Sequence, residues 1–232
     1  MKKSAIKKVI INGAQGKMGK AIARIIDQTP QLGLQVAGGR EPGDGFAMDG
    51  DIIIDFSSPE GAQDAFNWAK QHKAACLIGT TNLPERFLFQ IQEEQKIPLF
   101  YAPNVSLSVY FFGELLKKAT QLYAGYEMAL HEIHHSQKKD APSGTAKKLA
   151  ELINLPAEKI SYERTGTVPG THILALSNTY DKITLKHEAL DRDLFAASAA
   201  QIAAWLVKRP AGFYTISDYA KFIIKANKKG RK

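Results

Sequence analysis

The chain has 232 residues, enough for one large core or two modest ones, and its apolar runs fall well short of the roughly 18 residues that a membrane-spanning helix needs. A single cysteine, Cys76, inside the apolar stretch 74–78, excludes a disulfide framework and a cysteine-built zinc site. The formal charge of +8 sits at the ends, where Lys2, Lys3, Lys7, Lys8, Lys225, Lys228, Lys229, Arg231 and Lys232 leave the body at −1, so solvated ends explain it better than a face that reads nucleic acid. With 44% hydrophobic residues the composition is that of a soluble globular protein, with no membrane and no nucleic-acid partner expected. The basic residues before Val9 precede an apolar run too short for a signal peptide, and a cytoplasmic location is expected.

The run Val9-Ile10-Ile11, then Asn12-Gly13-Ala14-Gln15-Gly16-Lys17-Met18-Gly19, then the spaced apolar residues of 21–26, reads as strand, glycine turn and helix. Small residues at 14, 16 and 19 follow dinucleotide-binding spacing with Ala14 in place of the first glycine, so a pyrophosphate could approach the backbone and rest on the helix N-terminus. A second strand, 34–37, leads to Arg40 and Glu41. Glu41 stands where an acid would take ribose hydroxyls, and Arg40 could pair with the extra phosphate of NADP. Either residue could equally be an ordinary loop charge. The connector to Asp51 is too short for a crossover helix, which predicts an abbreviated sheet. Strands are then predicted at 52–56, 75–78 and 98–101 and helices at 60–72 and 84–95, with the loops Gly79-Thr80-Thr81 and Ala102-Pro103-Asn104-Val105 at strand ends, where an open α/β sheet binds ligands. The period changes after Asn104, placing a first domain at 1–104.

Past a predicted helix at 110–123, the stretch 127–146 holds three of the six histidines and the adjacent Lys138 and Lys139. His131-Glu132-Ile133-His134-His135 matches the zinc-protease pattern, but only a helix would bring positions i and i+4 to about 6 Å. On a strand they stand about 13 Å apart, and the position of the segment between two helices favours a strand, so no metal is expected. Pro142-Ser143-Gly144-Thr145 opens a capped helix over 146–153. His134, His135 and Lys138, with the amides of Gly144 and Thr145, would form a cationic cup for a small carboxylate substrate; the other reading is a solvated loop. Further on come a turn-rich 162–169, strands at 172–176 and 182–186, a helix at 193–208 and a closing helix after Asp218.

These motifs resemble the dihydrodipicolinate reductase family (4-hydroxy-tetrahydrodipicolinate reductase) over almost the whole chain. The most specific part is His134-His135 through Lys138 and Asp140-Ala141-Pro142-Ser143-Gly144-Thr145-Ala146, supported by 13–19, Asp55-Phe56-Ser57, 79–81, 102–104, Arg164-Thr165-Gly166 and Phe213-Tyr214. The resemblance implies an α/β fold, with an abbreviated Rossmann-type domain (1–104, joined again by 209–232) and an α+β substrate and oligomerisation domain with a mixed sheet (105–208). It implies His134 as the proton-handling residue with Lys138 as partner, His135 on the substrate, and Gly144 and Thr145 on a substrate carboxylate. Gly13, Ala14, Gln15, Gly16, Lys17, Met18, Gly79, Thr80, Thr81, Ala102, Pro103, Asn104 and Val105 would line NADH or NADPH. The implied reaction sends hydride to the fourth ring carbon with loss of water, and the implied assembly is a homotetramer joined through the second domain's sheet. Asn82, Val105, Ser108 and the short loop after Glu41 depart from the family pattern and bear on cofactor preference. The alternatives are another nicotinamide-linked reductase of a small oxo or imino acid, and a dinucleotide-sensing regulator.

Overall fold

The computed structural model describes residues 5–41 and 49–229; the loop 42–48 that follows Glu41 lies outside them. The chain folds into two compact units, Met1–Ser106 with Phe195–Lys232, and Leu107–Leu194.

The first unit is built on a parallel sheet. Strand β1 (Lys7–Asn12) buries Val9, Ile10 and Ile11, and β3 (Ile52–Asp55) and β4 (Ala75–Ile78) are buried at every position. Continuous apolar runs of this kind are what a strand needs when both of its faces are covered. With β2 (Leu34–Arg40), β5 (Pro98–Tyr101) and the short β10 (Gly212–Tyr214), the order across the sheet is β10-β5-β4-β3-β1-β2. All neighbours are parallel, so every strand delivers its following loop to the same edge. The connecting helices are α1 (Lys17–Gln28), α2 (Pro59–His72) and α3 (Glu85–Gln92). Helix α2 starts sharply because Ser58 accepts from the Gly61 amide while Pro59 takes the first turn, where a missing N–H costs nothing.

The second unit sets α4 (Leu107–Leu122) and α5 (Gly144–Leu152) on one face of a mixed sheet ordered β7-β6-β8-β9. Its strands are β6 (Glu127–His134), β7 (Ile160–Arg164), β8 (Gly170–Ser177) and β9 (Lys182–Ala189), with β6 parallel to β7 and the other pairs antiparallel. Cross-strand register fixes what this face carries. Leu130, Leu174, Leu185 and Ile160 form one row and join Phe112, Leu116 and Leu149 in the core. Two residues along, where side chains return to the same face, the row becomes Glu132, His172 and His187. One sheet face is thus oil at one end and ionisable at the other.

Helix α6 (Asp193–Leu206) clusters with the first sheet, whereas the sequence reading carried 105–208 as one domain. Its buried alanines allow close approach, and Trp205 packs edge-on against Phe100 of β5, Tyr214 of β10 and Tyr219 of α7 (Ile216–Lys229). The strands β7 and β10 were not expected. Three of the five β7 residues are exposed, and β10 is only three residues long, so neither shows a legible period.

Candidate functional site

In the first unit the loops expected to bind a nucleotide gather along the carboxyl edge of the parallel sheet. Residues 13–16 turn from β1 into α1, whose first turn holds Lys17 and Met18. The turn is tight. Gly13 has φ +80° and lies so close to the Phe56 carbonyl that a Cβ would approach it to 2.7 Å, while a Cβ on Gly19 would lie 2.2 Å from the Gly13 carbonyl oxygen. The N-cap of α1 is Gly16, no side chain caps it, and no acid sits in the first turn. Its leading amides therefore suit a pyrophosphate, and these residues fit a nicotinamide dinucleotide. Glu41 follows β2 directly and accepts from the Gln15 amide at 2.7 Å, which brings it onto the same turn. Arg40 turns the other way, its side chain 4% exposed and its guanidinium 3.7 Å from Asp64 of α2.

Asp55, fully buried at the end of β3, ties the end of β1 to the loops after β3 and β4. Its carboxylate accepts from Asn12 Nδ2 (2.7 Å), Ser57 Oγ (2.5 Å) and Thr80 Oγ1 (2.6 Å). Burial raises its pKa, and the three donors offset only part of that effect. Gly79 leaves β4 where any Cβ would strike the Phe56 ring. Thr80 is buried and Thr81 exposed, and Ala102, Pro103, Asn104 and Val105 follow β5, with Asn104 Oδ1 accepting from the Ser106 amide at 2.9 Å.

In the second unit β6 continues to His134, so the zinc-protease pattern is spread along a strand and its last histidine lies beyond the strand end. The His131 ring contacts Ser161 Oγ at 2.8 Å. The loop that follows is pinned by its backbone, with the His135 amide donating to Val168 O and the Lys138 amide to His135 O. Lys138 Nζ meets Asp140 Oδ1 at 2.7 Å, and Lys139 is exposed. Ser143 caps α5 by accepting from the Ala146 amide at 3.1 Å, leaving Gly144 exposed and Thr145 half-buried in the first turn.

Behind this loop Glu132 is fully buried. Its Oε1 accepts from the Ser143 amide and from Arg164 Nη2, each at 2.8 Å, and its Oε2 accepts from the Ser143 hydroxyl. Burial acts to raise the Glu132 pKa, but the Ser143 and Arg164 donors more than offset it and the group stays ionised. Oε2 also lies 3.3 Å from His134 Nδ1 and 3.8 Å from His172 Nε2. Desolvation lowers the His134 pKa against the pull of Glu132, and Lys138 and Arg164 lower it further. Glu132, His134 and His172 bring ligand-type atoms within 4.8 Å of one another, a spacing that invites a divalent ion. The Arg164 guanidinium on the same carboxylate opposes that use, since a second cation would meet a fixed positive charge.

Residues 7–105 match the family described as dihydrodipicolinate reductase, N-terminus, and residues 108–219 match dihydrodipicolinate reductase, C-terminus. The chain belongs to the dihydrodipicolinate reductase family. The 4-hydroxy-tetrahydrodipicolinate reductase of Campylobacter jejuni subsp. jejuni serotype O:23/36 (strain 81-176) is 34% identical over 238 residues, covering 91% of this chain and 98% of the relative. That of Rickettsia rickettsii (strain Sheila Smith) is 34% identical over 233 residues with the same coverage. A solved dihydrodipicolinate reductase from Paenisporosarcina sp. TG-14, bound to dipicolinate, shares the fold with a TM-score of 0.71 at 18% identity, covering 90% of this chain and 97% of that one.

Two members of the buried group, Glu132 and His172, are not among the site residues that the sequence points to. The signal was there for Glu132, because the alternation of Leu130, Glu132 and His134 puts all three on one face of a strand. His172 needed the β6–β8 register, which no local pattern supplies.

Burial lowers the His172 pKa from 6.5 to about 4, with repulsion from His134 adding to it. A depressed folded-state value means that the stability His172 supports is complete above pH 6.5 and is lost as pH falls toward 4, up to about 3 kcal/mol. Chemical denaturation across that range should show a steeper loss for the native protein than for His172→Gln. Parallel curves would remove His172 from the acid response.

Proposed function

We propose that the segment from His134 to Thr145 carries the catalytic and substrate-binding groups of this reductase, with the loops of the first sheet holding the cofactor. As a member of its family the chain is an NAD(P)H-dependent oxidoreductase that reduces 4-hydroxy-tetrahydrodipicolinate to tetrahydrodipicolinate with loss of water. When bound, NADH or NADPH supplies the hydride, and the chain's own residues orient the reactants and manage protons.

One observation carries the residue assignment. The Asp140 carboxylate lies against the Lys138 ammonium and is also stabilised by the Gly144 amide; burial works to raise its pKa, but these donors outweigh it and hold the group low. The Lys138 ammonium and the Gly144 amide therefore already converge on a carboxylate. In this reading a substrate carboxylate takes the amides of Gly144 and Thr145 at the capped start of α5, where a helix terminus contributes about 0.3 to 2 kcal/mol. His135 contacts the same molecule. His134 and Lys138 together handle the proton delivered to the reduced ring.

For the cofactor, Gly13 to Met18, Gly79 to Thr81 and Ala102 to Val105 line the dinucleotide, and Glu41 takes the ribose hydroxyls. Arg40 is assigned a weaker role, because a 2′-phosphate would have to draw its guanidinium out of a buried position beside Asp64. The first unit acts as the cofactor-binding domain and the second as the substrate domain. A homotetramer joined through the second sheet, working in the cytoplasm, completes the reading. No helix among the described residues is long and apolar enough to cross a membrane.

His134→Gln and Lys138→Ala should each lower kcat by about 10²- to 10⁴-fold, and the double variant should lose far less than the product of the two because both serve one step. Lys139→Ala, at an exposed position, should be nearly silent. A crippled Lys139→Ala beside a mild Lys138→Ala would shift the register of the whole assignment. Light scattering at micromolar concentration should give four times the chain mass, and a monomer would remove the tetramer.

A further inference from the structure

We propose that Glu132 is a positioning residue for His134: its buried carboxylate holds the imidazole proton on Nδ1 and so determines which ring nitrogen is left for proton transfer. This rests on the reading of His134 as the proton-handling residue and adds a group that the motif of the loop does not contain.

The two carboxylate oxygens of Glu132 do different work. Oε1 is occupied by two donors, the Ser143 amide and Arg164 Nη2, which fix the plane of the carboxylate. Oε2 accepts from the Ser143 hydroxyl and faces His134 Nδ1 at 3.3 Å and His172 Nε2 at 3.8 Å. His134 is 7% exposed, and its Nδ1 is buried with no aligned hydrogen-bond partner. An ionised carboxylate is acceptor-only, so an imidazole nitrogen this close to it is favoured as N–H. A proton on Nδ1 leaves Nε2 with its lone pair, and Gly170 keeps that side open, since a Cβ there would come within 2.9 Å of Nε2.

Ser143 makes the arrangement more than local packing. It caps α5 and donates twice to Glu132, so the helix start assigned to a substrate carboxylate and the orientation of His134 rest on one residue. Arg164 adds the loop, donating from Nη2 to the Asp140 carbonyl at 2.6 Å as well as to Glu132. The charged and titratable groups facing His134 are Glu132 on its own strand, Lys138 and Asp140 from the loop, Arg164 from β7 and His172 from β8. Among them Glu132 is the nearest negative charge, and its removal lowers the affinity of His134 for a proton.

Glu132→Gln is the discriminating change, because the amide oxygen can still receive Ser143 N–H and Arg164, while its NH₂ replaces the oxygen facing His134 and the Ser143 hydroxyl must turn from donor to acceptor toward it. The variant should keep the native unfolding temperature to within a few degrees and its KM for substrate to within about threefold. It should lose about 10²-fold in kcat. The pH–rate limb governed by His134 should move to lower pH, which a purely structural role would not produce. On a His134→Gln background the same substitution should cost almost nothing more. If His134→Gln cripples the enzyme while Glu132→Gln retains kcat and the pH limb, the positioning role is wrong and the reading of His134 stands. If both retain activity, the reading of His134 itself fails. Should Glu132→Gln not fold, ¹⁵N-histidine NMR of the native protein above the His134 pKa decides the matter: an Nδ1–H tautomer supports the proposal and an Nε2–H tautomer overturns it.

Discussion

A carboxylate with no exposure to water, Glu132 beneath the loop 135–143, is the constraint on which the second unit depends. Removing such a charge from water costs several kcal/mol unless its lone pairs are met, and meeting them dictates what must converge. The Ser143 amide and hydroxyl come from the start of α5 and Arg164 from the end of β7, while His134 of β6 and His172 of β8 lie close by without an aligned hydrogen bond. These donors fix α5 and β7 against the same two oxygens of β6. Loss of one would leave a buried charge incompletely paired, so the network holds together or fails together.

The first unit uses the same device at a different edge. Asp55 at the end of β3 collects donors from the end of β1 and from the loops after β3 and β4. In both units a buried acid at or near the end of a strand anchors the segments that follow neighbouring strands. Exposed loops alone would have to be ordered by the ligand, at a cost taken from binding.

Much of this architecture was legible in the order of the residues. The unbroken runs Val9-Ile10-Ile11 and Ile52-Ile53-Ile54 read as strands, and the spacing of 13–19 as a turn and helix after the first. The strand under the HExxH pattern followed from its position between helices. What stayed hidden depended on register or on partners far along the chain. The His172–Glu132 pairing lies across a β6–β8 ladder, the edge strand β10 is too short to show a period, and α6 joined the first sheet through Trp205, whose aromatic partners come from three other elements. Arg40 reads in sequence as a surface cation beside an acid, yet its side chain turns inward to α2.

The chain is a reductase of 4-hydroxy-tetrahydrodipicolinate by its family, and turnover tests this most directly. Substrate must be generated freshly, and the oxidation of NADH and of NADPH followed in separate reactions with the intact protein. Substrate-dependent oxidation of both reduced cofactors is expected, with tetrahydrodipicolinate as the product. Folded protein that oxidises neither cofactor when the substrate is added would contradict it.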